Sequence, residues 1–401
     1  MSRRPYHAAV HEGPLSGIVV VDLTRVLAGP YCTLVLSDLG ARIIKVERPR
    51  VGDDARHIGP FQNGRSAYFA SINRGKESID LDLKADDDRA VLEALLDRAD
   101  ILVENFRPGT MADLGYAWDD VHRRWPRLIQ ASVSGFGQTG PMSDRPAYDM
   151  VVQALGGVMS ITGPDGGEPT RVGTSVGDIT AGLFGVIGIL AALHDRAATG
   201  EGALVDVAML DCQVAILDNA IARYVTTGVV PGPIGARHPS ITPFGSFRAA
   251  DGYVVLAAGN NALFARLCSV LGVPELAADE RFATNHGRCD HEPALRAALE
   301  ATLATGTVAE WLALMEAHDL PAAPINDVAA VLAHPQVRAR NMAVPVDDPA
   351  MPGFIVAGNP VKLSTQLDPA VRPAAPALGA DRARLLAELG LSPDVEGAVK
   401  P

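Results

Sequence analysis

The sequence predicts an α/β fold: a Rossmann-like, mostly parallel sheet in a large domain, followed by a smaller α+β domain. Three observations carry that expectation. Short apolar runs alternate with amphipathic helical stretches through the first 135 or so residues, which is the pattern of a parallel sheet with crossover helices. Two long apolar helical stretches follow. After a Pro- and Gly-rich segment, 228–243, the pattern then changes to short strands and short helices.

The elements follow in order. GIVVVDL at 17–23 is a continuous apolar run closing on an Asp, as in a strand buried on both faces. Residues 30–39 read as a helix with Pro30 in its first turn, and 41–46 (ARIIKV) and 78–83 as strands. Residues 86–99 open with acidic residues and carry an apolar stripe at Val91, Leu92, Leu95 and Leu96, the mark of an amphipathic helix. Residues 101–103 and 128–133 read as further strands, 148–161 and 179–196 as long helices, and 381–389 as a terminal helix. Gly182, Gly185 and Gly188 in the second long helix cost about 1 kcal/mol each relative to Ala, which predicts close packing against another backbone. The 179–193 apolar stretch is shorter than a membrane span and reads as a buried core helix. The expected division is 1–225 (large domain), 226–330 (small domain) and 331–401.

Composition narrows the function. The 401 residues carry a net charge of −12, a poor match to nucleic acid or an anionic membrane surface. Neither is an expected partner. The four cysteines show no CxxC spacing and no Cys/His ligand cluster, so no metal site is expected and a reduced, cytoplasmic setting fits. The first 14 residues lack the apolar core of a secretion signal.

Two Gly-rich matches are weak. GFGQTG at 135–140 fits the dinucleotide fingerprint, but Pro141 follows where a helix should open. GTSVG at 173–177 fits a nucleophile elbow, but GGEPTRV before it makes a poor strand. Asp178, next in the chain, is the more promising group. An Asp at a helix start commonly caps free amides. The same amides would hold a catalytic carboxylate ionised, and the flanking glycine would admit a bulky ligand. A carboxylate nucleophile attacking a thioester forms a mixed anhydride, which keeps the activation that a serine ester would lose. Such a site must exclude water.

Several long stretches in order then matter: DLTRVLAGP, SINRGKESIDLDL, ADILVENFRPGTM, SVSGFGQTGP and VGDITAGLFGVIGILAALHDRAATGEG. Together they resemble the class III CoA-transferases, which include formyl-CoA transferase and the carnitine CoA-transferases, over nearly the whole chain. The resemblance implies an open-ring subunit in an interlocked homodimer, with the C-terminal segment completing the large domain. It implies acyl-CoA, possibly succinyl-CoA, and a free carboxylic acid, with a small dicarboxylate favoured, as substrates, and no permanently bound cofactor. Asp178 falls at the nucleophile's place. Leu27, Ala28, Arg48, Lys76, Asn105, Phe106, Gly135 and Phe136 fall at CoA-contacting places, Arg48 and Lys76 toward the nucleotide. Formyl-transferring relatives carry cations where this chain has Asp113 and Ser134, and a glycine run with no counterpart here, which argues against formate or oxalate. Arg237 and His238 are candidate receivers of the acceptor carboxylate. Two alternatives stay open. One is an α-methylacyl-CoA racemase, although Tyr148 precedes Asp149 where a racemase has its His. The other is a CoA-binding protein without catalysis.

Overall fold

The computed structural model describes residues 13–392. The ends of the first and last expected domains (1–12 and 393–401), and most of the segment searched for a signal, lie outside the described residues. The described residues form two compact units, 13–159, 171–229 and 335–392 against 160–170 and 230–334. The boundaries expected at 225/226 and 330/331 thus lie at 229/230 and 334/335. The sequence gives no hint that 160–170 leaves the first unit.

The first unit is built on six parallel strands: β1 (Val19–Asp22), β2 (Arg42–Glu47), β3 (Glu77–Asp80), β4 (Ile101–Glu104), β5 (Ile129–Ser134) and β6 (Leu204–Ala208). Their spatial order is β3-β2-β1-β4-β5-β6, and every neighbouring pair is parallel. This is the doubly wound order in which the chain reverses direction between β1 and β4. Helix α1 (Ala28–Asp38) follows β1 and α2 (Asp86–Leu96) follows β3. The α2 stripe is buried as its spacing requires, with Val91, Leu92, Leu95 and Leu96 in one core with Val21, Ile79 and Leu102. Strand β6 is missed by the sequence reading. Its LVDVA pattern is short, carries an Asp and lies on an edge, where burial is incomplete.

The expected 148–161 helix is shorter. Helix α3 (Asp149–Leu155) stops at Gly156, and Gly157 turns the chain with φ of 83°. The second long helix, α4 (Val176–Thr199), starts three residues early and runs 24 residues. It is long and apolar enough to cross a membrane by length and composition, and only 33% of its apolar window is buried. The expectation of a buried core helix is therefore corrected. Its glycine face packs on α1: a Cβ at Gly182 would lie 2.8 Å from the Ala28 carbonyl oxygen, and one at Gly185 would lie 3.2 Å from Cys32 Sγ. Its other face, with Leu183, Phe184, Ile187 and Leu190, is exposed in the single chain. Helices α5 (Met209–Ala215) and α6 (Asn219–Thr227) follow β6.

The second unit is a small α+β fold. Strands β7 (Phe244–Arg248), β8 (Tyr253–Ala257) and β9 (Ala322–Pro324) form an antiparallel sheet in the order β9-β8-β7. Helices α7 (Asn261–Val270), α8 (Glu292–Leu303) and α9 (Val308–Ala317) contribute Phe264, Leu295, Leu299 and Met315 to a core with Phe247 and Val254. The chain then returns to the first unit, where α10 (Arg382–Leu389) lays Leu385 and Leu386 into the main core.

Candidate active site

Ligands of doubly wound sheets sit outside the carboxyl ends of the strands, where the order reverses. A cavity of about 260 Å³ lies there. One wall is the β1–α1 loop with Arg25, Val26, Leu27 and Ala28. Asn105 to Pro108, after β4, form the facing wall. Val133 and Ser134 of β5, Gly135 just after it and the 145–148 segment extend it, and Asp54, Asp178 and Met209 complete the lining.

The β1–α1 loop is held from below. Asp22, at the end of β1, accepts hydrogen bonds from Thr24, Thr33 and Lys76. Lys45 Nζ donates to the Thr24 carbonyl at 2.7 Å and pairs with Asp53 at 2.8 Å. Asp53 accepts the Val26 N–H at 3.0 Å. Asn105 makes two bonds to Arg25, accepting its N–H at 2.9 Å and donating to its carbonyl at 2.8 Å. These bonds hold Val26 at φ 67°, a backbone region costly for a β-branched residue. Strain retained on a cavity wall by surrounding bonds marks a position that shape has over-determined.

Asp178 sits in the first turn of α4, two residues inside the helix, and Ser175 is the N-cap. It is therefore not a cap. Asp149 Oδ1 instead accepts the Gly177 N–H at 2.8 Å, while its Oδ2 accepts from Gln153 Nε2 at 2.7 Å. Gln153 in turn accepts the Val172 N–H. Burial, and then the Asp149 charge, push the Asp178 carboxyl up to about 7. The expectation of a carboxylate held ionised by free amides is thus corrected. One first-turn amide is already taken, and desolvation with a like charge outweighs the helix dipole. The Asp178 field also contributes to raising the Tyr68 phenol to about 12, after burial, so that phenol stays protonated. The arrangement is a partly buried, basic carboxyl group at a cavity wall.

The sequence model of CoA-transferase family III matches residues 15–382. The chain belongs to that family. It is 47% identical to an acetyl-CoA:oxalate CoA-transferase of Acetobacter aceti, over 94% of this chain and 96% of that protein. It is 40% identical to a succinyl-CoA:glutarate CoA-transferase of Mus musculus, over 90% and 83%. Among solved structures, a CaiB/BaiF family protein from Brucella suis superposes with a TM-score of 0.83 at 39% identity, covering 94% of this chain and 99% of that one.

Within this family III framework, the cavity brings together Leu27, Ala28, Asn105, Phe106, Gly135 and Asp178. Phe136 packs partly buried against the Ala28, Val133 and Val152 cluster. The side-chain amide of Asn105 is spent on the backbone of Arg25, so Asn105 shapes the wall. Lys76 does not reach the cavity. Its side chain is wholly buried and donates to Asp22, Thr33, Asn73 and the Pro30 carbonyl. Burial, the largest influence, lowers it to about 8. A nucleotide contact through its ammonium is thereby replaced by a structural role. Arg48 is exposed and pairs with Asp54, which lines the cavity. Arg237 and His238 lie in the second unit. Arg237 pairs with Asp165 at 2.8 Å and Glu292 at 3.3 Å, and His238 Nδ1 accepts the Ser240 N–H. Arg237 is committed to those acids, which removes the residue-level reason for assigning it a free carboxylate.

The sequence reading misses Arg25, Asp54, Arg107, Arg145 and Met209 as lining residues. Arg25 stands within the DLTRVLAGP stretch, and Arg107 within ENFRPG, so position beyond a strand end was the available signal. Residues 135–140 form a loop, with the Gly137 N–H on Ser134 Oγ and the Gln138 N–H on Asp206. No helix opens there for a dinucleotide.

Proposed function

We propose that this CoA-transferase moves coenzyme A from an acyl-CoA to a small free dicarboxylic acid, with Asp178 as the covalent nucleophile. The single observation that carries it is the Asp178 carboxyl at a switch-point cavity, raised to about 7. A carboxylate of that basicity is a stronger nucleophile than an ordinary one, yet about half ionised at neutral pH.

The steps balance without a net proton. Asp178 attacks the thioester carbonyl of the donor, the C–S bond breaks, and CoA thiolate leaves a mixed anhydride. The thiolate then attacks the aspartyl carbonyl, and the anhydride C–O bond breaks to release the donor acid. The acceptor carboxylate attacks this aspartyl-CoA thioester and expels the thiolate again. Finally the thiolate attacks the acceptor's acyl carbonyl, giving the new acyl-CoA and restoring the Asp178 carboxylate. Water would end the sequence at either intermediate.

Oxalate and glutarate in the names of relatives support a dicarboxylate acceptor. The oxalate-named relative also removes the weight placed on Asp113 and Ser134 against that acid. The racemase reading loses support because Asp149 is engaged by Gly177 and Gln153. The exposed apolar face of α4, together with the exposed Ile221, Tyr224 and Val225 of α6, supports a homodimer in which a second copy covers apolar surface.

Asp178→Asn tests the proposal. Transfer falls by at least about 1,000-fold while acyl-CoA binding is retained. Undiminished transfer by this variant removes the mechanism.

A further inference from the structure

Three guanidinium groups line the cavity: Arg25, Arg107 and Arg145. They are not equivalent. Arg25 is paired with Asp54 at 3.2 Å and lies 5.8 Å from the Phe106 ring centre. Asp54 is the partner of Arg48 as well. Arg107 leaves the same β4 loop as Phe106. These two arginines therefore belong to one corner, with the exposed Arg48 nearby.

Arg145 stands elsewhere. It begins the segment Arg145-Pro146-Ala147-Tyr148, which packs on Gly135 so closely that a Cβ there would lie 2.2 Å from the Ala147 Cβ. The segment runs directly into α3, whose first residue, Asp149, holds the Gly177 amide beside Asp178. Chain connectivity thus ties Arg145 and Tyr148 to the nucleophile. Among the described residues, the Arg145 guanidinium has no recorded hydrogen-bond or ion-pair partner, although Asp144 precedes it. Tyr148 is 74% exposed, and its hydroxyl likewise has no recorded partner among the described residues. The Arg107 guanidinium is likewise without such a partner, but Arg145 is the one whose segment leads into the helix that holds the amide next to Asp178, on a cavity that both residues line in a chain of net charge −12.

We infer that Arg145, assisted by the Tyr148 hydroxyl, receives the distal carboxylate of the acceptor dicarboxylic acid and so sets acceptor specificity. The inference rests on the proposed transfer to dicarboxylates and names the residues that select them. The guanidinium fork matches a carboxylate in two parallel bonds, which an ammonium cannot reproduce. The acceptor's other carboxylate is left free to attack at Asp178. A monocarboxylate of equal length gains nothing from Arg145.

The test measures overall transfer from acetyl-CoA, so that only the acceptor carries a second carboxylate. It compares a dicarboxylate with the monocarboxylate of the same chain length. Arg145→Gln raises KM for the dicarboxylate about 10–100-fold, leaves kcat nearly unchanged, and leaves the monocarboxylate and acetyl-CoA constants unmoved. Arg145→Lys recovers part of the loss, and Tyr148→Phe shows a smaller change of the same kind. Equal loss with both acceptors, or a rise confined to the acetyl-CoA KM, overturns the inference; the latter assigns Arg145 to the CoA phosphates. Selectivity is read on net transfer, so the result stands apart from whether Asp178 carries the acyl group. That reading is tested by labelling Asp178 itself.

Discussion

Asp149 and Asp178 come from the first turns of two different helices, and Asp149 holds the amide next to Asp178 at 2.8 Å while its charge helps raise the Asp178 carboxyl to about 7. Asp149 therefore braces the turn that carries the proposed nucleophile and, after burial, adds to its basicity. Only the carboxylate attacks, so kcat/KM for acyl-CoA falls as pH drops through about 7. Asp149→Asn can still accept the Gly177 N–H through Oδ1, while it removes the charge and the acceptor for Gln153 Nε2. The acid limb of the pH profile should move down, with the plateau rate changed little. A limb that stays in place shows that Asp149 has no electrostatic role.

The raised Asp178 also has a cost in stability. In the unfolded chain its carboxyl ionises near pH 4, while in the folded protein it keeps its proton until about 7. Folding thus favours the protonated form, and stability is lost as pH rises from about 4 to 7. Asp178→Asn should stabilise the protein by roughly 1–3 kcal/mol above pH 7, since solvent still reaches part of the side chain. The gain should vanish near pH 4. Urea unfolding at the two pH values checks this.

Lys76 is the middle of a buried charge cluster with Asp22, Lys45 and Asp53. Lys76→Met leaves Asp22 short of its main cation and should destabilise by about 3–5 kcal/mol, lowering the thermal midpoint. A variant of unchanged stability with a raised KM for acyl-CoA would restore the nucleotide contact that the motif suggests.

Sequence and structure diverge for identifiable reasons. Strands buried on both faces, such as β1, are legible because an unbroken apolar run, here Val19 to Val21, precedes the closing Asp22. Helix α2 is legible because its stripe is regular. The alternating edge strand β6 and the 160–170 excursion leave no comparable pattern. Within the site, Asp178 and the walls at Leu27–Ala28 and Asn105–Phe106 follow from matching stretches, since those loops leave strand ends. The destination of a charged side chain is not legible that way. Lys76 turns inward because Asp22 and Thr33 wait there, and Arg237 is taken by Asp165 and Glu292. The brace from Asp149 to Gly177 spans 28 residues and needs the fold to appear.

The glycine seam between α1 and α4 offers a further check. A Cβ at Gly182 meets the Ala28 carbonyl oxygen at 2.8 Å and the Tyr31 ring at 3.1 Å. Gly182→Val should push α1 outward, costing about 1–3 kcal/mol. Because Ala28 lines the cavity, it should also raise KM for acyl-CoA more than it lowers kcat. An unchanged KM would show that the wall is not set by this contact.

The central claim concerns where one oxygen atom goes. If the acceptor acid attacks an aspartyl-CoA thioester, one of its carboxylate oxygens remains on Asp178 when the product leaves. Turnover with an acceptor labelled with heavy oxygen, followed by peptide mass analysis, should show that label on the peptide carrying Asp178, and later in the released donor acid. Full transfer with no label on that peptide would contradict covalent catalysis by Asp178.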